Sequence, residues 1–302
     1  MLPRTFSDQL WLVMNACRGN VAGCRTWPHR NRWGLFYLWL LLSAPAWAQG
    51  LELRIEGKEV ARTEDVVFHQ IDEHTWVGTG RVMANESLYL VEGSRRAALI
   101  DAGTKINDLD KVVASITSKP VLLLVTHAHP DHTGSAINDF PEMWIHPAEA
   151  QSQFVSHYKG TIRYLEDGQE IDLGDRTLLV VFTPGHTPGS TTFVDPSAGY
   201  GFSGDSFGSG NLLLFGDFST LIASCEKMLR LMERHGIRFL YPGHFNGKNL
   251  ETKERIQDIL ALSRDVLSGK VKGEMNPTAR FGLSWVVSRK GVRIHYHDGA
   301  VR

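Results

Sequence analysis

Cysteine is scarce in this chain: three in 302 residues, two of them, Cys17 and Cys24, within the first fifty. That leaves Cys225 alone in the remainder, which excludes a disulfide framework whatever compartment the protein occupies. Proline is also sparse, at 12 residues, so no proline-rich linker divides the chain. The 32 basic and 33 acidic residues nearly cancel, and a net charge of −1 supplies no basic field for nucleic acid. The apolar run from Trp33 to Leu42 is shorter than the ~20 residues that a spanning helix needs. What is present, 42% apolar and 22% charged residues, is an ordinary globular composition with enough material for a sizeable core.

The first fifty residues differ from the rest and hold five of the eight tryptophans. Arg30 and Arg32 precede the apolar run, and Ser43-Ala44-Pro45-Ala46-Trp47-Ala48 follows it. A charged flank, a short apolar stretch and small residues at Ala46 and Ala48 are the parts of a secretory signal cut before Gln49. Residues 1–48 therefore read as a leader and residues 49–302 as a single domain. The long segment ahead of the apolar run leaves the true translation start open. Cleavage removes five arginines and one aspartate, leaving 27 basic and 32 acidic residues and a net charge of −5. The expected product is a periplasmic or secreted protein without stable membrane insertion. Its oligomeric state is open.

Short apolar segments alternate with turns from residue 66 onward. Val66-Val67-Phe68, Thr75-Trp76-Val77, Ser87 to Val91 and Ala97 to Ile100 read as strands. Apolar positions at Ile106, Leu109, Val112, Val113 and Ile116 have helical spacing and predict a helix over 105–118. The wholly apolar Val121-Leu122-Leu123-Leu124-Val125 suits an interior strand covered on both faces. Strands are expected at 143–145, 177–182, 190–194, 199–203 and 238–241, and helices at 147–157, 219–235 and 249–268. A last hairpin is expected over 281–296, turning near Arg289-Lys290-Gly291. Strands with helices between them in both halves meet their burial demands in a four-layer α/β arrangement, two sheets face to face with helices outside. An open α/β sheet is the competing arrangement.

Directly after the apolar strand comes Thr126-His127-Ala128-His129-Pro130-Asp131-His132-Thr133-Gly134. Three histidines and an acid within six residues are a dense set of zinc ligands. In an extended segment His127 and His129 point the same way, which leaves Asp131 and His132 for a neighbouring ion. Three more candidates also stand at strand exits: His186 in Thr183-Pro184-Gly185-His186-Thr187-Pro188-Gly189, Asp205 after Gly204, and His244 after Tyr241-Pro242-Gly243. Each alone is an unremarkable surface turn; together with the dense motif they point to a two-ion centre.

In these residues the chain resembles the metallo-β-lactamase superfamily. The likeness rests on His-Ala-His-Pro-Asp-His at 127–132, then His186, Asp205 and His244, in the family's order, and spans about residues 65–250. It implies the αββα sandwich and two zinc ions per chain. One would be held by His127, His129 and His186, the other by Asp131, His132 and His244, with Asp205 bridging. It further implies a hydrolase whose water, shared by two zinc ions, loses a proton near neutral pH and attacks as metal-bound hydroxide. Asp131, with a second carboxylate oxygen, is the expected catalytic residue. Thr126, Thr133, Asp101 and Thr187 are candidates to orient the ligands.

Aspartate at 205, where the lactamase subgroups carry cysteine or serine, is similar to the glyoxalase II, lactonase and phosphodiesterase branches. The expected reaction is therefore hydrolysis of a small-molecule ester, thioester or lactone. Hydrolysis of a β-lactam is one alternative, and a mononuclear iron persulfide dioxygenase another. Phe207, Asn211, Leu212, Leu213 and Leu214 are expected to line a cleft or to form a packed connection. Asn246 and Lys248 are candidates to meet a substrate oxygen. Met83, Ala84 and Asn85 stand where a flap over the centre would lie.

Overall fold

The computed structural model describes residues 55–82, 85–277 and 279–302. The expected leader, and Met83 and Ala84 of the expected flap, lie outside the described residues.

Alternation of inward and outward side chains builds the first sheet. Its strands run in chain order: β1 (Lys58–Arg62), β2 (Val66–Asp72), β3 (Thr75–Gly80), β4 (Ser87–Glu92), β5 (Ala97–Ile100), β6 (Val121–Leu124), β7 (Glu142–Ile145) and β8 (Thr161–Tyr164). Its first half is antiparallel, and β5 to β8 are parallel. On β4, Leu88 and Leu90 face one side while Tyr89 and Val91 face the other, the period of two that a strand imposes. Both sides are buried. The outer side packs on helix α1 (Leu109–Ala114) through Leu109, Val112 and Val113.

The second sheet comprises β9 (Glu170–Asp172), β10 (Thr177–Phe182), β11 (Thr191–Asp195) and β12 (Tyr200–Gly204). After β13 (Leu212–Leu214) and helix α2 (Phe218–His235), β14 (Phe239–Pro242) and β15 (Glu251–Thr252) complete it. Leu178, Val180, Phe193 and Phe202 meet Tyr89, Val91, Ile100 and Leu124 between the two sheets. On the outer side, Val181, Val194 and Leu240 pack under α2 and helix α3 (Lys253–Leu267). Helix, sheet, sheet, helix is the expected four-layer order. A small third sheet joins β13 to β16 (Glu274–Met275), β17 (Trp285–Arg289) and β18 (Val292–Tyr296), in the order β13-β18-β17-β16. Among the described residues no helix is long and apolar enough to cross a membrane.

Two helices depart from the sequence pattern. The one expected over 105–118 shrinks to α1. Asp108 adopts a left-handed φ of 52° before it, and Ser115 caps its end, its N–H shared between the Lys111 and Val112 carbonyls. No α-helix forms over 147–157. Ser152 is extended there and its side chain caps only a 3-10 turn at Gln153–Val155, while Glu149 turns into the interior.

Strand direction gathers the polar loops. β12 and β14 are parallel, and β10 runs the same way because each is antiparallel to β11. The turns leaving β10, β12 and β14 therefore share one edge. The exit of β6 meets them there, since Thr191 N–H donates to the Thr126 carbonyl at 2.9 Å and Ser87 N–H to the Gly243 carbonyl at 2.7 Å.

Candidate metal centre

That edge brings together all seven side chains singled out in the sequence. Three groups have ligand atoms within 4.8 Å of one another: His127, His129 and His186; His127, His132 and Asp205; and Asp131, His132 and His244. Backbone shape permits the approach. Gly243 has no side chain where a Cβ would lie 2.3 Å from Asp205 Oδ1 and 2.8 Å from His132 Cε1.

The first group is a triangle of nitrogens. His127 Nε2 lies 3.1 Å from His129 Nδ1 and 3.2 Å from His186 Nε2, and the last two atoms are 2.9 Å apart. Two imidazoles on one tetrahedral ion, bound at ~2.0–2.1 Å, stand ~3.3 Å apart. Hydrogen bonding settles where the lone pairs point. His186 Nδ1 donates to the Leu213 carbonyl at 2.7 Å, so Nε2 carries a lone pair. The Thr126 hydroxyl gives its proton to Asp101 Oδ2 at 2.8 Å and accepts from His127 Nδ1 at 3.1 Å, so His127 Nε2 carries another. Two lone pairs facing each other inside a buried triangle repel unless a cation sits between them. Burial, reinforced by the neighbouring imidazoles, lowers the pKa of His127 and takes that of His129 down to about 4. It lowers that of His186 too, against the pull of Asp205. All three rings are neutral, ligand-ready bases at neutral pH.

The second group is held by carboxylates. His132 Nδ1 donates to Asp101 Oδ2 at 2.8 Å, which aims Nε2 into the centre, where it and Asp205 Oδ1 lie buried without a hydrogen-bond partner, 3.8 Å apart. His244 Nε2 is 3.4 Å from both Asp131 Oδ2 and Asp205 Oδ2, and His186 Nε2 is 3.7 Å from Asp205 Oδ2. Asp205 thus stands between the two groups. Burial opposes charge on each member, but the mutual attraction wins. Asp101 lifts His132 to about 9, and Asp205 raises His244. His132 and His244 draw Asp131 down to about 2, and His244 leads in lowering Asp205. An imidazole nitrogen and a carboxylate oxygen, both buried without a partner and able to offer lone pairs to the same space, are a donor set that fits a divalent ion.

Of the expected orienting residues, Asp101 and Thr126 act on His132 and His127 as described. The Thr133 hydroxyl donates to the Ala128 and His129 carbonyls, holding the dense loop closed. Thr187 pairs with Ser190 within its own turn. Sequence reading missed Glu149. Its buried carboxylate accepts from Ala128 N–H at 2.9 Å and Gly189 N–H at 2.8 Å, tying the loop of His127 and His129 to that of His186. It also missed Asn249, whose Nδ2 donates to the His244 carbonyl at 2.8 Å. Both lie in segments whose local pattern resembles surface helix or turn. Asn246 and Lys248 do not line the cleft; Asn246 Oδ1 accepts from Lys248 N–H within the turn.

A cleft of about 240 Å³ opens on the centre, lined by His186, Asp205, Gly208, Ser209, Asn211, Leu213 and His244. Phe207, Leu212 and Leu214 are instead fully packed in the core. Phe154 and Phe215 stand with ring centres 6.1 and 5.4 Å from His129, giving the first group an apolar flank. A larger cleft of about 550 Å³, lined by Asp167, Lys227 and Arg234 among others, contains none of the seven residues.

Comparison with known proteins agrees with this geometry. The chain is 28% identical over 201 residues to the acyl-coenzyme A thioesterase MBLAC2 of Gallus gallus, covering 53% of this chain and 72% of that one. It is 35% identical over 126 residues to the hydroxyacylglutathione hydrolase of Hahella chejuensis, covering 40% of this chain and 47% of that one. In fold it is similar to a metallo-β-lactamase from Erythrobacter litoralis, with a TM-score of 0.53, 19% identity, and coverage of 68% of this chain and 98% of that one. The sequence profile of the metallo-β-lactamase superfamily matches residues 84–244, more than half of the chain, and the chain belongs to that superfamily.

Proposed function

We propose that this metal-dependent hydrolase holds two zinc ions and cleaves a small-molecule thioester, with esters and lactones as related substrates. The observation that carries the reading is the placement of Asp205 between a neutral three-imidazole group and a carboxylate-imidazole group. His127, His129 and His186 would hold one ion, Asp131, His132 and His244 the other, and Asp205 both. Zinc bound there supplies Lewis acidity, polarising the scissile carbonyl and acidifying water.

The chain's own residues supply orientation. Asp131, ionised down to about pH 2, offers an acceptor oxygen that orients the attacking water. Among the described residues lining the cleft, no titratable side chain stands apart from the proposed ligands. That favours a leaving group needing no general acid. A thiol, with a pKa of ~8.5, departs as thiolate, whereas an alkoxide demands a proton. The Phe154 and Phe215 flank suits an apolar acyl group. The similarity to an acyl-coenzyme A thioesterase and a hydroxyacylglutathione hydrolase points the same way.

The test is metal content and turnover on one purified sample, with an acyl thioester, a lactone and a β-lactam as substrates. Two zinc equivalents with preferential thioester turnover is the expected result. Faster lactam turnover would replace the substrate assignment, and one iron without hydrolysis would replace the reaction.

A further inference from the structure

One cleft residue is tied to the far end of the chain. Asn211 Oδ1 lies 2.9 Å from His295 Nε2 on β18, and His295 Nδ1 lies 3.2 Å from the Nδ2 of Asn276, which follows β16. An amide nitrogen only donates, so His295 Nδ1 must accept and the ring proton must sit on Nε2. From there it goes to Asn211 Oδ1. Burial holds the pKa of His295 below its usual value, so the ring is neutral at neutral pH and has one proton to direct. The relay therefore has a sense, running from Asn276 through His295 to Asn211.

The consequence falls on the other end of the Asn211 amide. With Oδ1 turned to the hairpin, Nδ2 is left, and no described protein acceptor takes it. Asn211 is exposed, and it lines the cleft alongside His186, Asp205 and His244. The seven-residue centre attends to the scissile carbonyl, and the phenylalanine flank suits the apolar acyl side. A neutral amide N–H at the exposed part of the same cleft suits a neutral oxygen on the remaining part of the substrate, the leaving group.

Resting on the thioesterase reading, we infer that Asn211 is a specificity-determining residue whose Nδ2 donates to an amide carbonyl in the thiol leaving group, with His295 and Asn276 as positioning residues. One neutral hydrogen bond contributes about 0.5–1.5 kcal/mol, a factor of about two to ten.

The experiment compares two thioesters sharing one acyl group, one of N-acetylcysteamine, which carries the amide carbonyl, and one of propanethiol, which lacks it. On the zinc-loaded full chain, Asn211→Ala raises KM for the first by about two- to tenfold, while the second is unchanged. His295→Leu gives the same split, and His295→Gln, whose amide accepts and donates, restores discrimination. Thermal unfolding of each variant shows that it is folded. Independently of turnover, ¹⁵N NMR of the metal-free chain shows His295 with its proton on Nε2. A proton on Nδ1, equal losses on both thioesters, or no loss on either overturns the inference while leaving thioester hydrolysis standing. Wild-type protein that turns over neither thioester removes the proposed function and the inference together.

Discussion

His132 Nδ1 and Asp101 Oδ2 meet at 2.8 Å with both side chains buried, and this contact aims a metal-facing nitrogen without itself touching the cleft. The same carboxylate takes Thr126 N–H and its hydroxyl, so one side chain orients ligands on both sides of the centre. Asp101→Ala removes both supports. Metal affinity should fall by about 10- to 100-fold, as is usual when a ligand-orienting carboxylate is lost. Competitive chelator titration measures it, and an unchanged affinity would contradict the orienting role.

Asp205→Ala removes the carboxylate proposed to span both groups. Zinc content should drop from two equivalents toward one, with turnover depressed and the His132–His244 side losing its ion first. Elemental analysis of dialysed protein gives the answer. Two retained equivalents at normal activity would remove Asp205 from the centre.

Glu149→Ala leaves Ala128 and Gly189 N–H groups buried without their acceptor. Each orphaned donor costs about 1–3 kcal/mol, so unfolding stability should fall by about 2–6 kcal/mol even without metal. Glu149→Gln keeps one acceptor oxygen and should lose about half as much. Denaturant unfolding of metal-free protein separates the two. A neutral alanine variant would mean that the ligand loops hold each other without it.

Glu251 carries a pH signature. It is fully buried, accepts Ser209 N–H at 2.7 Å, and its Oε2 lies 2.6 Å from Arg255 Nε without hydrogen-bond geometry. Burial outweighs the pull of Arg255 and raises the pKa to about 7, above the usual 4.5. The folded chain then binds this proton more tightly than the unfolded chain. The associated stability is complete below pH 4.5 and lost as pH rises through 7. Glu251→Gln should abolish that loss, at most about 3 kcal/mol, so wild type falls relative to the variant between pH 5 and 8. Parallel stability curves for the two proteins would refute it.

Export remains a proposal drawn from residues 1–48. N-terminal analysis of the exported protein should begin at Gln49; an intact leader on exported protein contradicts it.

Every proposed metal ligand is legible in the sequence, because ligand identity is a property of residue type. The density of 127–132 and the strand-exit positions of His186, Asp205 and His244 survive any uncertainty in strand bounds. Strands are legible for a similar reason: period-two burial, as at Leu88 to Val91, is written locally. What the chain path alone decided is which residues far apart become partners. Glu149 sits in a stretch with helical spacing, yet it folds inward to residues 21 and 40 positions away. The Leu213 carbonyl fixes the tautomer of His186 from 27 positions on, and His295 reaches Asn211 across 84. Such contacts have no local period, since they exist only once two sheets have stacked and brought their loops to one edge. Residue type therefore set the chemistry of the centre, and tertiary packing decided its orientation, its protonation and the polar side of its cleft.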